Sequence, residues 1–297
     1  MTRKLPLVQV DVFTDRALTG NSLAVILDGR GLSTEQMQAI ALEMNLSETT
    51  FILPGDAVAD QTRGTRVRIF TVQEELPFAG HPTLGTAFVL RGDSGASEIK
   101  LDLNIGMVPV RFTQSESSAL AFGEMTQMDP QFGEVHESDA VAAVTNLKAG
   151  DLAAAAPIQT VSTGLPYTIV PVRTLKALQD LRLDVPRALE YLERTGGKFF
   201  YFVCRETLNS KARLHARMIF YNGEDPATGS AAGCASAWMV AHGIAASDER
   251  VIIEQGLEMN RPSSIFVRAT KRDNQVVNVR VGGNCVEVLR GEISLNL

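Results

Sequence analysis

The sequence predicts a mixed α/β (α+β) protein of two similar halves, each combining strands with one helix buried on every side. Three observations lead there. Apolar and polar residues alternate with a period of two in several short runs, the pattern of half-buried strands. Two stretches, 84–90 and 231–240, are apolar or small all round, which suits a helix enclosed by its own domain. Finally, Glu75, Pro77 and Gly80 recur as Glu224, Pro226 and Gly229, each pair 149 positions apart, and in both places an arginine-containing strand precedes them and a small-residue helix follows.

Taken in order, Val8, Val10 and Val12 alternate with Gln9 and Asp11 as a first strand, and the turn residues Gly20, Asn21 and Ser22 lead into a second at 23–27. Ser33 with Gln36 three residues on forms a capping box, after which Met37, Ile40, Ala41 and Met44 share one helical face. That predicts a helix of about three turns ending near Asn45. A short connector containing Ser47 and Glu48 then enters the β-branched and aromatic run 50–53. Residues 65–70 alternate as another strand. From Pro82 the pattern is helical, since proline is favoured at a first helical position where its missing N–H would have had no partner.

The second half repeats this order with a strand at 215–220 and a helix beginning at Gly229 and Ser230. Between the halves, 113–118 is polar and 128–133 breaks any periodicity, so the chain is expected to cross near residue 118. The expected domains are 1–118 and 119–287. Strand alternation returns at 276–281, 286–288 and 293–295, and the last strand, about 288–297, has the option of returning to the first domain.

Composition excludes several functions. With 28 basic and 34 acidic residues the net charge is -6, and no Lys/Arg run is long enough to follow a phosphate backbone, so nucleic acid is not an expected partner. The opening residues show no apolar signal core and no stretch could span a bilayer, which places the expected location in the cytoplasm without membrane contact. Cys204, Cys234 and Cys285 are far apart with no CxxC pair, and His81, His136, His215 and His242 show no HExxH spacing, so no metal is expected. Neither GxGxxG after a strand nor GxxxxGK[ST] is present, and no nucleotide cofactor is expected.

The chemistry the residues suggest concerns small anions. Two buried helices that each start just after a glycine would present, at Gly80-His81 and Gly229-Ser230, N–H groups with no intrahelical acceptor, and such ends attract negative charge. If the halves face each other, both ends meet one cleft, where they suit a carboxylate and the enolate-like charge of proton removal. Each end also reads as an ordinary capped helix start. Glu48, among apolar segments, has its charged form disfavoured and its pKa raised, as a general acid/base requires, although its position equally fits a surface glutamate. His81 suits a proton partner or a helix-start cap. Asp225 suits a group that orients an ammonium or hydroxyl, or an everyday turn, and Ser230 a carboxylate ligand or a cap.

Together, the stretches 45–51 (Asn-Leu-Ser-Glu-Thr-Thr-Phe), 75–85 (Glu-Leu-Pro-Phe-Ala-Gly-His-Pro-Thr-Leu-Gly) and 223–233 (Gly-Glu-Asp-Pro-Ala-Thr-Gly-Ser-Ala-Ala-Gly) resemble, in order, the three signatures of the phenazine-biosynthesis isomerase (PhzF-like) family. The resemblance implies the diaminopimelate epimerase-like fold, two pseudo-symmetric domains each with a curved mixed sheet around a central helix and the active site between them. It implies a cofactor-independent isomerase, with Glu48 as acid/base and Ser47, Gly80, His81, Asp225, Gly229 and Ser230 holding or polarising a carboxylate like trans-2,3-dihydro-3-hydroxyanthranilate. It also implies a homodimer. An epimerase of an amino or hydroxy acid, and a non-catalytic binder of small acids, are the alternatives. Two-thiol racemisation is disfavoured, because the helix starts carry His81 and Ser230 and Cys234 lies a full turn further in. Asn21-Ser22 departs from the family's usual Asn-Pro.

Overall fold

The computed structural model describes residues 2–55, 62–114, 120–220 and 223–296. By its contacts the chain divides into two units, one of 1–126 with 282–297 and the other of 127–281. The crossing falls at 126/127 rather than near 118, because β7 (Gly106–Gln114) and β8 (Ala121–Thr126) pair antiparallel and keep the chain in the first unit. The return comes at 282 rather than about 288. There the last strand, β17 (Gln275–Asn296), begins its run along β1 (Thr2–Val12), with Cys285 opposite Val12 and Asn296 opposite Thr2.

In the first unit β1 pairs antiparallel with β2 (Asn21–Ile26), which runs parallel to β3 (Glu48–Leu53). The ladder continues through β4 (Thr65–Phe70), antiparallel to β3 and to the two-residue β5 (Glu75–Leu76), and parallel to β6 (Glu98–Leu103). From β6 it passes to β7 and β8, and β8 meets β17, so the sheet closes into a barrel. Helix α1 (Thr34–Met44) lies outside. Its capping box forms, its C-cap Asn45 is left-handed at φ 49°, and Met37, Ile40 and Ala41 pack with Leu5, Leu7, Ile26, Phe51 and Phe70.

Helix α2 (Gly80–Arg91) fills the barrel and packs against β1, β2, β3, β6, β7 and β8. It has no polar face because every residue from Gly80 to Ala87 is buried. It starts two residues before the expected Pro82, which sits third. That position costs nothing, since a helix's first N–H groups lack intrahelical acceptors in any case. Gly85 sets the closeness of the packing, because a Cβ there would come within 2.7 Å of Leu23 and 2.8 Å of Val12.

The second unit repeats these ladders. After β9 (Gln131–His136) and α3 (Ser138–Thr145), β10 (Ile158–Ser162) pairs antiparallel with β9 and with β11 (Pro166–Val172). Helices α4 (Leu175–Gln179) and α5 (Val185–Thr195) cover one face. Next, β12 (Phe199–Cys204) runs parallel to β11, and β13 (Ala212–Phe220) antiparallel to β12 and to β14 (Gly223–Asp225). The buried helix α6 (Gly229–Ala241) follows. Then β15 (Val251–Gln255) lies parallel to β13, with β16 (Ser263–Arg272) antiparallel to it. Among the described residues no helix is long and apolar enough to cross a membrane.

The repeat holds to single-residue register. Ile69 faces Leu76 and Phe70 faces Glu75, while 149 residues later Met218 faces Asp225 and Ile219 faces Glu224. Each hairpin is braced by the same bidentate fork. Arg68 Nε and Nη2 donate to Glu75 at 2.8 and 2.5 Å, and Arg217 Nε and Nη2 donate to Glu224 at 2.8 and 2.7 Å. A planar guanidinium matched to a carboxylate fixes geometry as well as charge. In both units the braced hairpin leads directly into the buried helix.

Candidate active site

In the first unit the structure gathers Ser47, Glu48, Gly80 and His81. Glu48 opens β3, where its Cα faces Leu23 of the parallel neighbour, and only 7% of it is exposed. The half-buried Ser47 precedes it. Glu48 Oε2 lies 3.5 Å from Nδ1 of His81, the second residue of α2. A hydroxyl pair, Thr50 to Thr86 at 2.8 Å, ties that strand to that helix one step further in, so the carboxylate and the imidazole are held on rigid elements.

His81 is a neutral ring. Burial pushes its pKa down to about 3, against a weaker opposing pull from the Ser22 backbone. The contact with Glu48 is therefore not an ion pair at neutral pH, and no imidazolium charge stabilises the carboxylate. Asn21 Nδ2 lies 3.2 Å from His81 Nδ1, so Asn21 and Glu48 both approach that nitrogen, and Nε2 is on the ring's other side. That Nε2 is buried and has no hydrogen-bond partner. Asn21 opens β2 opposite Val12, and its surroundings are tied to Asp11, to which Ser22 donates at Oδ1 (2.8 Å) and the Leu18 amide at Oδ2 (2.7 Å).

The second unit gathers Asp225, Gly229 and Ser230. Asp225 ends β14 and accepts from the Thr228 hydroxyl at 2.6 Å. Gly229 opens α6, and its carbonyl accepts from Gln127 Nε2 at 3.0 Å. Ser230 Oγ lies 2.7 Å from the Tyr167 hydroxyl. All three predicted residues are buried. At both helix starts the N-cap, Ala79 or Thr228, makes no side-chain cap bond, so the first amides of each helix are not capped in the ordinary way.

Three supporting residues have no signal in the sequence: Gln127, Tyr167 and Gln255. Each lies far along the chain from the helix start it touches, inside a segment that reads as a plain strand or connector. The asymmetry between the units is equally invisible. Glu48 opens the β2/β3 ladder opposite Leu23, and the residue opening the matching β11/β12 ladder opposite Tyr167 is Phe199, which cannot take a proton. Cys234 is fully buried and its thiol is pushed up to about 11, burial outweighing the bonds that favour the thiolate. Among the described residues no group of three or more His, Cys, Asp or Glu side chains is arranged to hold a metal ion.

A family profile described as phenazine biosynthesis-like protein matches residues 10–291. The chain is 39% identical over 295 residues to an uncharacterized isomerase of Mesorhizobium japonicum, covering 95% of this chain and 96% of the relative. It is 34% identical over 296 residues to the trans-2,3-dihydro-3-hydroxyanthranilate isomerase of Pseudomonas chlororaphis, covering 97% and 99%. Among solved structures, a PhzF-family phenazine biosynthesis protein of Bacillus anthracis superposes with a TM-score of 0.86 at 26% identity, covering 98% and 99%. A hydroxyproline epimerase of Agrobacterium vitis, with a TM-score of 0.66 at 12% identity over 99% and 93%, shares the fold alone.

Proposed function

Because the chain belongs to the phenazine biosynthesis-like family and is an isomerase of it, we propose that Glu48 moves a proton between carbons of a small carboxylate without a cofactor. The substrate is of the trans-2,3-dihydro-3-hydroxyanthranilate type, the compound in the name of the Pseudomonas chlororaphis relative. The observation that carries this reading is the buried Glu48 carboxylate 3.5 Å from a neutral, fully enclosed imidazole. A carboxylate held on a rigid strand beside a neutral ring is placed both to take and to return a proton.

In the first step the Glu48 carboxylate takes a proton from carbon, and the bonding pair left behind spreads into the adjacent unsaturated system. The His81 ring and the first amides of α2 stabilise the developing charge. In the second step the Glu48 carboxylic acid returns the proton to a different carbon, and the shifted double bond completes the isomerisation. Ser47 and Gly80 help seat the substrate, and Asp225, Gly229 and Ser230 are the second unit's groups suited to holding polar groups of a small acid.

An epimerase working with two bases needs a second proton carrier. Phe199 stands at the register position matching Glu48, and Cys234 keeps its proton, so the single-base isomerase is the better supported reading. Two measurements test it. Glu48→Gln keeps the shape and removes the transferable proton, so turnover should vanish while ligand affinity stays within about tenfold. Unchanged turnover overturns the assignment. Reaction in heavy water separates the two chemistries, because isomerisation shifts the ultraviolet absorbance whereas epimerisation labels the original stereocentre without such a shift.

A further inference from the structure

Gln255, the last residue of β15, has no exposed surface, and its amide is satisfied at every position. Its Oε1 accepts from the Thr228 backbone N–H and from the Tyr201 hydroxyl, both at 3.1 Å. Its Nε2 donates to the Asp225 carbonyl at 2.7 Å and to Thr228 Oγ1 at 2.9 Å. Thr228 Oγ1 then has its own proton directed at Asp225 Oδ2, 2.6 Å away. One amide thus sets the direction of a chain of hydrogen bonds that ends on the Asp225 carboxylate. It also grips the residue immediately before the first turn of α6.

The internal repeat supplies an independent observation. The β13/β15 ladder places Leu214 opposite Ile253 and His215 opposite Glu254, and the β4/β6 ladder places Thr65 opposite Leu101 and Arg66 opposite Asp102. Gln255 therefore corresponds to Leu103. By the 149-residue offset Asp225 corresponds to Leu76 and Thr228 to Ala79, and all three counterparts are buried and apolar. The frame consequently folds without any polar group at these positions. Where one of the three is polar, all three are polar, and only in the unit that carries Asp225.

We propose that Gln255 is a positioning residue that aims the Asp225 carboxylate and the first amides of α6 at the substrate. It acts through Thr228 and does not itself touch substrate. This inference rests on the reading of Asp225 as a substrate-holding group.

The test is equilibrium binding of 3-hydroxyanthranilate, an aromatic probe of the same class that needs no turnover, to the full chain. Gln255→Glu preserves shape but removes both Nε2–H donors, and affinity should fall by roughly tenfold or more, as expected when buried partners lose a donor. Asp225→Asn should weaken binding comparably, and the double variant should be no weaker than Asp225→Asn alone, which a merely structural role would not produce. Additive losses, or unchanged affinity in Gln255→Glu, overturn the proposal. If Gln255→Glu does not fold, Thr228→Val interrupts the same chain and must show the same non-additivity with Asp225→Asn. If wild-type protein does not bind the probe, the proposed substrate class falls and the inference is judged by amide exchange. Thr228 must then lose protection in Gln255→Leu, which removes the acceptor of its backbone N–H, and unchanged protection refutes it. Activity in Glu48→Gln tests the isomerase reading separately, because that variant leaves this chain of bonds intact.

Discussion

Replacing His215 by glutamine removes a cation from between two carboxylates. Its ring is fully buried, with Nδ1 2.7 Å from Glu254 Oε1 and Nε2 3.0 Å from Glu258 Oε1. Burial disfavours the charged ring, but the two hydrogen bonds and the two negative charges outweigh it, and the pKa is pushed from 6.5 up to about 9. Burial disfavours the charged forms of Glu254 and Glu258, but the same contacts hold both below the usual carboxylate range, with backbone amides of Leu208 and Asn209 adding to Glu254 and Arg217 to Glu258. The shift on His215 corresponds to about 3 kcal/mol of stability, counted once because the partners' shifts describe the same pairing.

The unfolded chain protonates this histidine only below about 6.5, whereas the folded protein holds the proton to about 9. The contribution is therefore complete below pH 6.5 and is lost as the pH rises through 9. Urea midpoints of wild type and His215→Gln at pH 6.5, 7.5, 8.5 and 9.5 should show a gap of about 3 kcal/mol at the lowest pH that narrows steadily upward. A gap that is constant, or that widens with pH, refutes the argument that the ring is charged in the folded state.

The two hairpin forks make a matched pair of perturbations. Arg217 is buried and also donates to the carbonyls of Leu178 and Gln179, whereas Arg68 is only half-buried, so Arg217→Met should cost about 3 kcal/mol or more against about 1 kcal/mol for Arg68→Met by urea titration. Equal costs would mean that burial does not decide the strength of the fork. Cys234→Ser keeps the size and the hydrogen bonds to Thr163 and the Leu165 carbonyl, so kcat should stay within about threefold, while a hundredfold loss would point to thiol chemistry.

The elements legible in the sequence were those whose cause is local. Ser33 and Gln36 announce the start of α1 because a capping box needs only residues three apart, and Asn45 announces its end because it tolerates the left-handed region. Both buried helices were legible from their lack of a polar face, whereas the place of Glu48 between a helix end and a strand fits a surface glutamate as well. The true start of α2 at Gly80 was not, since it depends on the preceding hairpin rather than on Pro82. The crossing at 126/127 depends on the pairing of β7 with β8, which a polar stretch at 113–118 conceals. Gln127, Tyr167 and Gln255 act through contacts 102, 63 and 27 residues away in sequence, and no short-range pattern encodes such partners.

The repeat separates what the frame requires from what the chemistry requires. Arg68, Glu75, Pro77 and Gly80 are kept as Arg217, Glu224, Pro226 and Gly229, so the braced hairpin and the glycine start of the helix belong to the frame. Leu76, Ala79 and Leu103 become Asp225, Thr228 and Gln255, and that change follows no need of the fold. Gln255→Leu alone should cost about 1–3 kcal/mol, because it strands buried polar groups of Asp225 and Thr228. Asp225→Leu, Thr228→Ala and Gln255→Leu together restore the apolar set that the first unit already packs, leaving only backbone groups to find new partners. Their combined cost should therefore be well below the sum of the three single costs, by urea midpoints of all four variants. A triple variant as unstable as that sum would show that the polar set holds the second unit together, and would remove the repeat as an argument for its role at the site.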